Sequence, residues 1–450
     1  MTQLTTELPV GDEAAEAPDV THGVPPWVDR AVVVLVVLMG AFGVAERLWV
    51  FSHLPILSDE AVVGLMARQI QHGHFTTFYW AQNYGGLEPY LVAAVTKVVP
   101  GPIGLNLTPV LLCALSSVVV GLLVSELTHD KRAALAAGAL VWVWPYGVVW
   151  NSTRELGFHF VSLFLGLTMI YLAVRLGRGH RGTLTCLGLG LSAGAGFWSS
   201  PEIFYFVVSA GLVLVATWRR WAGVRTVAVV AGAALVGALP WLYANVHSGF
   251  ASLSLAAAPH GAPSTYRERL SIFFHQFLPL ELGLKDLYTG QWVGGASLGK
   301  VLFVLACLVL VGTIVAACWL SLRRGKGPEL GALAAGVVAF PFLLAANPAT
   351  NYWLEDRYGV DFSFLLVALV FATVTTALYE LAGPARHRAR HRAGDRRAPL
   401  WVAGLASAAL VGGAVLTLVH GGALLAGPGV TPATGFGAVF SSLPNPNAGM

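Results

Sequence analysis

Between Lys300 and Arg323 the chain carries no charged side chain, only a continuous apolar run. About 20 apolar residues is the length at which an α-helix crosses the hydrocarbon of a bilayer. A single segment in that medium must satisfy its own backbone polar groups, and a helix does so. Comparable runs recur near 31–51, 103–127, 133–150, 156–174, 183–199, 202–218, 224–245, 300–321, 330–346, 359–381 and 400–427. They predict an all-α polytopic membrane protein with about eleven transmembrane helices. Of the 450 residues, 56% are hydrophobic and 11% charged, against about 25% charged in soluble chains. Too few charges are present to hydrate the surface, so lipid must cover much of it. The net charge of +4 does not point to nucleic acid. An excess of Arg over Lys with abundant Ala, Gly and Val suits a bacterial plasma membrane protein.

Lys and Arg concentrate in cytoplasmic loops, and here alternate loops are basic. They hold Lys131-Arg132, Arg175 with Arg178 and Arg181, Arg219 with Arg220 and Arg225, Arg323 with Arg324 and Lys326, and Arg386 to Arg397. The intervening loops hold Asp59, Glu60, Glu88, Glu155, Glu202, Glu268, Glu281, Asp286, Glu355 and Asp356. One assignment satisfies every basic loop: amino terminus cytoplasmic, carboxyl terminus extracytoplasmic. Residues 1–29 then read as a disordered cytoplasmic tail before an uncleaved first span. Residues 30–427 form the transmembrane domain, and 428–450 an extracytoplasmic tail. Two extracytoplasmic loops are long, 52–102 and 247–299, and long connections in compact proteins commonly carry function. Each is expected to hold an interfacial helix. Leu87 to Val99 is apolar but too short to cross, and Tyr266 to Leu278 has a charged end and a phenylalanine-rich end. Cys113, Cys186, Cys307 and Cys318 lack metal or redox spacing and read as small core residues without a disulfide.

Four constellations carry ionisable groups. Ser58-Asp59-Glu60-Ala61 follows the first span. Ser58 can cap a helix whose positive end favours the two acids, and the same pair can bind a metal or take a proton from a hydroxyl. In Tyr84-Gly85-Gly86-Leu87-Glu88-Pro89 the glycines permit a tight turn and Pro89 suits a first helical turn. Glu88 at the entry to an apolar segment needs a partner or water. In Arg154-Glu155-Leu156-Gly157-Phe158-His159 the acid and the histidine are spaced i,i+4, which on a helix places them on one face. They can pair, hold a metal or meet Arg154. In Glu355-Asp356-Arg357-Tyr358 the guanidinium suits a phosphate through paired donors, or an ion pair with its neighbours. Of the histidines His72, His74, His247, His260 and His275, none has diagnostic ligand spacing.

These motifs, in these loops, resemble those of the GT-C glycosyltransferases, of the protein O-mannosyltransferase and lipid A aminoarabinose transferase type. The first-loop acidic motif opening a helix resembles Asp59-Glu60-Ala61 through Ala67-Arg68. The later Glu before prolines, often Glu-Lys-Pro-Pro, is similar to Leu87-Glu88-Pro89, which lacks the Lys and second Pro. The late Arg-Tyr opening a span is similar to Glu355-Asp356-Arg357-Tyr358. The likeness covers residues 30–381, and no appended soluble domain is read in the sequence. It implies transfer of a hexose or pentose from a polyprenyl-phosphate carrier to an extracytoplasmic glycan, lipid or protein, with inversion. It further implies Asp59 as base with Glu60 beside it, and Glu88, Glu155 and His159 as acceptor or metal contacts. Arg357, Tyr358 and Arg154 are the expected contacts of the donor phosphate. A divalent metal is expected, if anywhere, at Glu88. The competing class is a membrane transporter or polyprenyl-lipid flippase, which would keep charges at mid-membrane depth and show internal repeats. Acids gathered on one face favour the enzyme.

Overall fold

The computed structural model describes residues 26–53, 58–80, 82, 84–253, 265–285, 290–323, 327–347 and 359–389. The predicted span 400–427, both predicted tails and the Glu355–Tyr358 motif lie outside these residues, except for 26–29 of the amino-terminal tail. The described chain is helical: α1 Pro26–His53, α2 Ser58–Gln71, α3 Glu88–Val98, α4 Pro102–Thr128, α5 Lys131–Val143 and α6 Tyr146–Asn151. There follow α7 His159–Gly177, α8 Thr183–Ser199, α9 Phe204–Ala216, α10 Trp218–Trp221, α11 Val224–Gly237 and α12 Leu239–Ser248. The last group is α13 Tyr266–Ile272, α14 Leu278–Glu281, α15 Ala296–Leu322, α16 Glu329–Ala346 and α17 Val360–Ala389.

It is a polytopic membrane architecture. Six of the described helices are long and apolar enough to cross a bilayer, and a seventh span forms if α11 and α12 count as one. The count expected from sequence is larger because three predicted runs fall on shorter helices and a fourth, 400–427, lies outside the described residues. The run 133–150 breaks after α5, where Pro145 lacks the N–H that would continue the ladder. The 13 residues of α5 rise only about 20 Å. The run 202–218 becomes a short 3₁₀ turn and α9, and α8 has 17 residues. Pro240 opens α12 and bends it by 58° against α11.

Helices α4, α7, α16 and α17 form the interior, with between 56% and 67% of their apolar windows buried. By contrast α1 and α15 are 17% and 11% buried, which puts them at the periphery. Small residues set the closest crossing: a Cβ on Gly194 of α8 would lie 2.0 Å from the Ala234 carbonyl of α11. Close backbone approach of this kind is how membrane helices associate.

The predicted alternation of loops is visible in space. At one end of the bundle Arg178 meets Glu126 and Glu329, Arg323 meets Glu380, and Arg132 meets Asp29. The starts of α3, α4, α7, α9 and α17 gather at the other end, where the buried acids lie. Helices form in both long loops. In the first, Val63, Met66 and Ala67 of α2 pack with Tyr79, Val92, Ala93 and Leu105 in a small separate core. In the second, Phe273 is buried against Phe340 and Phe362, and Phe277 is buried beside Phe273, rather than turned to the membrane surface. Arg269 anchors the same segment by donating to the Ala345 carbonyl at 2.7 Å.

Candidate active site

The periodicity of α2 explains which of its two acids is inside. Glu60, Val63 and Ala67 follow the i, i+3, i+7 rule for one helix face, so Glu60 is carried under the apolar stripe and is fully buried. Asp59, one residue earlier, points about 100° away around the helix and stays partly exposed. Ser58 is the first residue of the helix rather than its cap. Buried Glu60 is held by Arg154, whose Nη1 lies 3.1 Å from its Oε2. The Arg154 guanidinium also stands 5.3 Å from the Trp150 ring centre.

Glu88 arrives by a turn that only glycine permits. Gly85 has φ +83°, and a Cβ on Gly86 would lie 1.9 Å from the Thr77 carbonyl oxygen. The Gly85 N–H donates to the Ser199 carbonyl at 2.7 Å, tying this turn to the end of α8. Glu88 is buried, and the Val161 N–H near its carboxyl favours the charged form without outweighing burial. That N–H belongs to the first turn of α7, where helix geometry leaves donors without an internal partner.

The i,i+4 expectation for Glu155 and His159 is corrected. Helix α7 begins only at His159, because Gly157 at φ +100° interrupts the chain before it. Glu155 therefore sits in a tight loop, with its Oε1 accepting from the Gly157 N–H at 3.2 Å. Its own N–H donates to Asn106 Oδ1 of α4 at 3.2 Å. The two residues part company: Glu155 shares a hydrogen bond with Glu88, and His159 Nδ1 lies 2.8 Å from Glu202 Oε1. A carboxylate can only accept, so Nδ1 carries the proton in that contact.

Two carboxyl groups joined by one hydrogen bond must hold a proton between them. Burial raises the pKa of Glu88 well above the usual carboxylate range, and it does the same for Glu155, where the neighbouring Glu88 charge adds to it. One oxygen of each, and one of Glu202, has no hydrogen-bond partner among the described residues. Beyond Glu202 the acids continue. Asp361 at the start of α17 is within electrostatic reach of Glu202 and Glu281, and Glu281 Oε2 accepts from Ser363 Oγ at 2.6 Å.

The structure thus gathers Glu60, Arg154, Glu155, Glu88, His159 and, at the rim, Asp59. Arg357 and Tyr358 lie outside the described residues. Asn106, Glu202, Asp361 and Glu281 were not singled out by motif. Glu202 and Glu281 stood only among the acids of the non-basic loops; Glu202 carries a further signal, since Ser200-Pro201-Glu202 is a cap pattern, and the Ser200 hydroxyl does accept from the Glu202 N–H. Among the described residues no group of three or more His, Cys, Asp or Glu is arranged to hold a metal ion.

Residues 87–243 match the family model for dolichyl-phosphate-mannose-protein mannosyltransferases. ArnT from Cupriavidus metallidurans bound to undecaprenyl phosphate superposes with a TM-score of 0.54 at 15% identity, over 86% of this chain and 74% of that one. Its apo form gives 0.54 and 16%, over 87% and 78%. The chain shares the fold of ArnT. An archaeal oligosaccharyltransferase, AglB from Archaeoglobus fulgidus with an inhibitory peptide and a dolichol-phosphate, aligns at a TM-score of 0.49 and 16% identity. That alignment covers 89% of this chain but only 56% of AglB. No curated protein matches the chain in sequence. The family-matched segment contains Glu88, Glu155, His159 and Glu202. The first-loop pair Asp59-Glu60 and the late Arg357-Tyr358 fall outside it.

Proposed function

We propose that this is a GT-C protein and transfers a sugar from a polyprenyl-phosphate carrier to an acceptor hydroxyl on the extracytoplasmic side, the acceptor being a glycan, lipid or protein. One observation carries the reading. Acids from three separate segments, Glu60 of α2, Glu88 of α3 and Glu155 before α7, are brought to one end of a membrane bundle beside Arg154. Burying that many carboxyls is costly, and a purely structural bundle has no need of it. Undecaprenyl phosphate bound to ArnT, on the same fold, supports a lipid-phosphate donor.

In the proposed reaction the acceptor oxygen attacks the anomeric carbon as the bond from that carbon to the phosphate oxygen breaks. The bonding electrons leave with the lipid phosphate, and attack from the opposite face inverts the centre. Asp59, accessible at the helix start, takes the hydroxyl proton. Glu60 and Arg154 fix that helix start against the α6–α7 loop. The Glu88–Glu155 pair and His159 line the acceptor side, and Arg357 with Tyr358 meets the departing phosphate. Among the described residues Glu88 is not joined by two further His, Cys, Asp or Glu side chains arranged to hold an ion, so no step is routed through one. The amino terminus is assigned to the cytoplasm and the site to the opposite face of a bacterial plasma membrane.

The test supplies membranes containing the protein with radiolabelled polyprenyl-phosphate sugars. Label moving from the lipid to a non-lipid-phosphate product supports transfer. Label crossing the bilayer while still on its carrier would make the protein a flippase instead.

A further inference from the structure

Glu46 and Arg47 lie within α1, and Arg47 is 1% exposed. Its guanidinium is hydrogen-bonded to neutral groups, with the adjacent Glu46 as the neighbouring opposite charge. Nε donates to Ser152 Oγ at 2.9 Å, Nη1 to the Gly43 and Trp142 carbonyls at 3.0 Å each, and Nη2 contacts Cys113 Sγ at 3.5 Å. The same group lies flat against Trp142, 3.6 Å from the ring centre. Gly43 admits that indole, since a Cβ there would fall 2.3 Å from Trp142 Nε1.

Each bond has a structural reason. Trp142 is in the last turn of α5, where carbonyls lose their helical donors, and Pro145 cannot restore the ladder. Ser152 is the first residue after α6 and opens the loop that carries Arg154 and Glu155. Its hydroxyl donates to the Val149 carbonyl at 2.8 Å while accepting from Arg47, so its position is set from both sides. A buried charge with neutral partners is a poor stabiliser, and an apolar side chain of similar volume would pack as well or better. What the guanidinium supplies is a rigid fork of donors that ties α1, α4 and α5 to the entry of the site loop.

We propose that Arg47 is a positioning residue for sugar transfer: through Ser152 it holds the 152–155 loop so that Arg154 reaches Glu60 and Glu155 reaches Glu88. This rests on the transferase reading given above. No part of Arg47 touches a reacting atom. Its influence is on the placement of groups that do, where displacements of about 1 Å lower rates by as much as about 100-fold.

The experiment uses the full chain in lipid nanodiscs, with Arg47→Met, Arg47→Lys, Ser152→Ala and Arg47→Met/Ser152→Ala. Leu333→Ala, a core truncation in α16, serves as a destabilised control. Two quantities are read: turnover and donor affinity with a lipid-linked sugar, and the infrared stretch of the protonated Glu88–Glu155 carboxyl, identified by its loss in Glu155→Gln. Expected are unchanged donor affinity and a turnover loss on the order of 10- to 100-fold for both Arg47 variants. Ser152→Ala should lose less, and the double variant no more than Arg47→Met. The carboxyl band should shift in the Arg47 and Ser152 variants but not in Leu333→Ala. An unmoved band in folded Arg47→Met or Ser152→Ala, or additive losses in the double variant, overturns the proposal. If Arg47→Met does not accumulate, Ser152→Ala decides alone, since it removes only a hydroxyl. A wild-type protein that transfers no sugar sinks the transferase reading. A wild-type protein that does, beside unaffected variants, sinks only the positioning role.

Discussion

Arg154 and Glu60 stand 94 positions apart in sequence, yet Nη1 and Oε2 are 3.1 Å apart, with side chains 5% and 0% exposed. The pair joins the first long loop to the α6–α7 junction. Removing one member of a buried pair typically costs about 3–5 kcal/mol, because the other charge stays buried. Arg154→Met should therefore lower stability by about that amount. Adding Glu60→Gln should recover much of it. Thermal unfolding of the single and double variants in nanodiscs checks this, and a double variant no more stable than Arg154→Met would show that the two groups are not coupled.

Asp59→Asn separates base from scaffold. Asn still accepts a hydrogen bond at the helix start, so a structural role predicts a loss of about 1 kcal/mol or less. A general base predicts a rate loss of about 10²- to 10⁴-fold. The expected result is normal insertion with turnover lower by at least about 100-fold. Normal turnover would remove Asp59 from the mechanism.

The Glu88–Glu155 pair makes folding sensitive to pH in a definite direction. Both pKa values are raised in the folded protein, burial being the main cause, so the folded state holds a proton that the unfolded state releases near the ordinary value of 4.5. The stability tied to that proton is complete below the ordinary value and is lost as pH rises through the raised one, at about 1.4 kcal/mol per unit of separation. The apparent titration belongs to the pair rather than to either member. Glu155→Gln keeps a neutral partner at every pH. Its melting temperature relative to wild type should climb as pH rises above the carboxylate range. A difference that is flat or falls with pH contradicts the shared proton.

Arg357→Lys should weaken use of the lipid donor more than it weakens folding. Lysine keeps the charge but loses the paired donors that suit a phosphate. An apparent donor affinity equal to wild type would leave Arg357 with only its neighbours Glu355 and Asp356 to serve.

Sidedness is tested by single cysteines at Ser264 and His391, placed in a chain cleared of its four native thiols. An impermeant reagent added to one side should label only one of them. Labelling of both from the same side would refute the alternating assignment of loops.

The sequence by itself determined that this chain lies in lipid and that its basic loops share one end of the bundle. Apolar runs of bilayer length and alternating basic loops are local properties, and the structure brings the basic loops together at one end as they require. It also determined which acid of α2 is inside, because Glu60 shares the period of Val63 and Ala67. Helix continuity was less legible. Pro145 and Gly157 break runs whose hydropathy alone reads as unbroken, so Glu155 and His159 never share a helix face. Only the tertiary structure decided the partners. Glu155 joins Glu88, His159 joins Glu202, and Arg47 joins Ser152 across 105 positions. A buried ionisable group is stable only with a partner, and nothing in its own stretch of sequence states which distant helix end will supply the donor. That is settled when the helices pack and their unsatisfied ends meet.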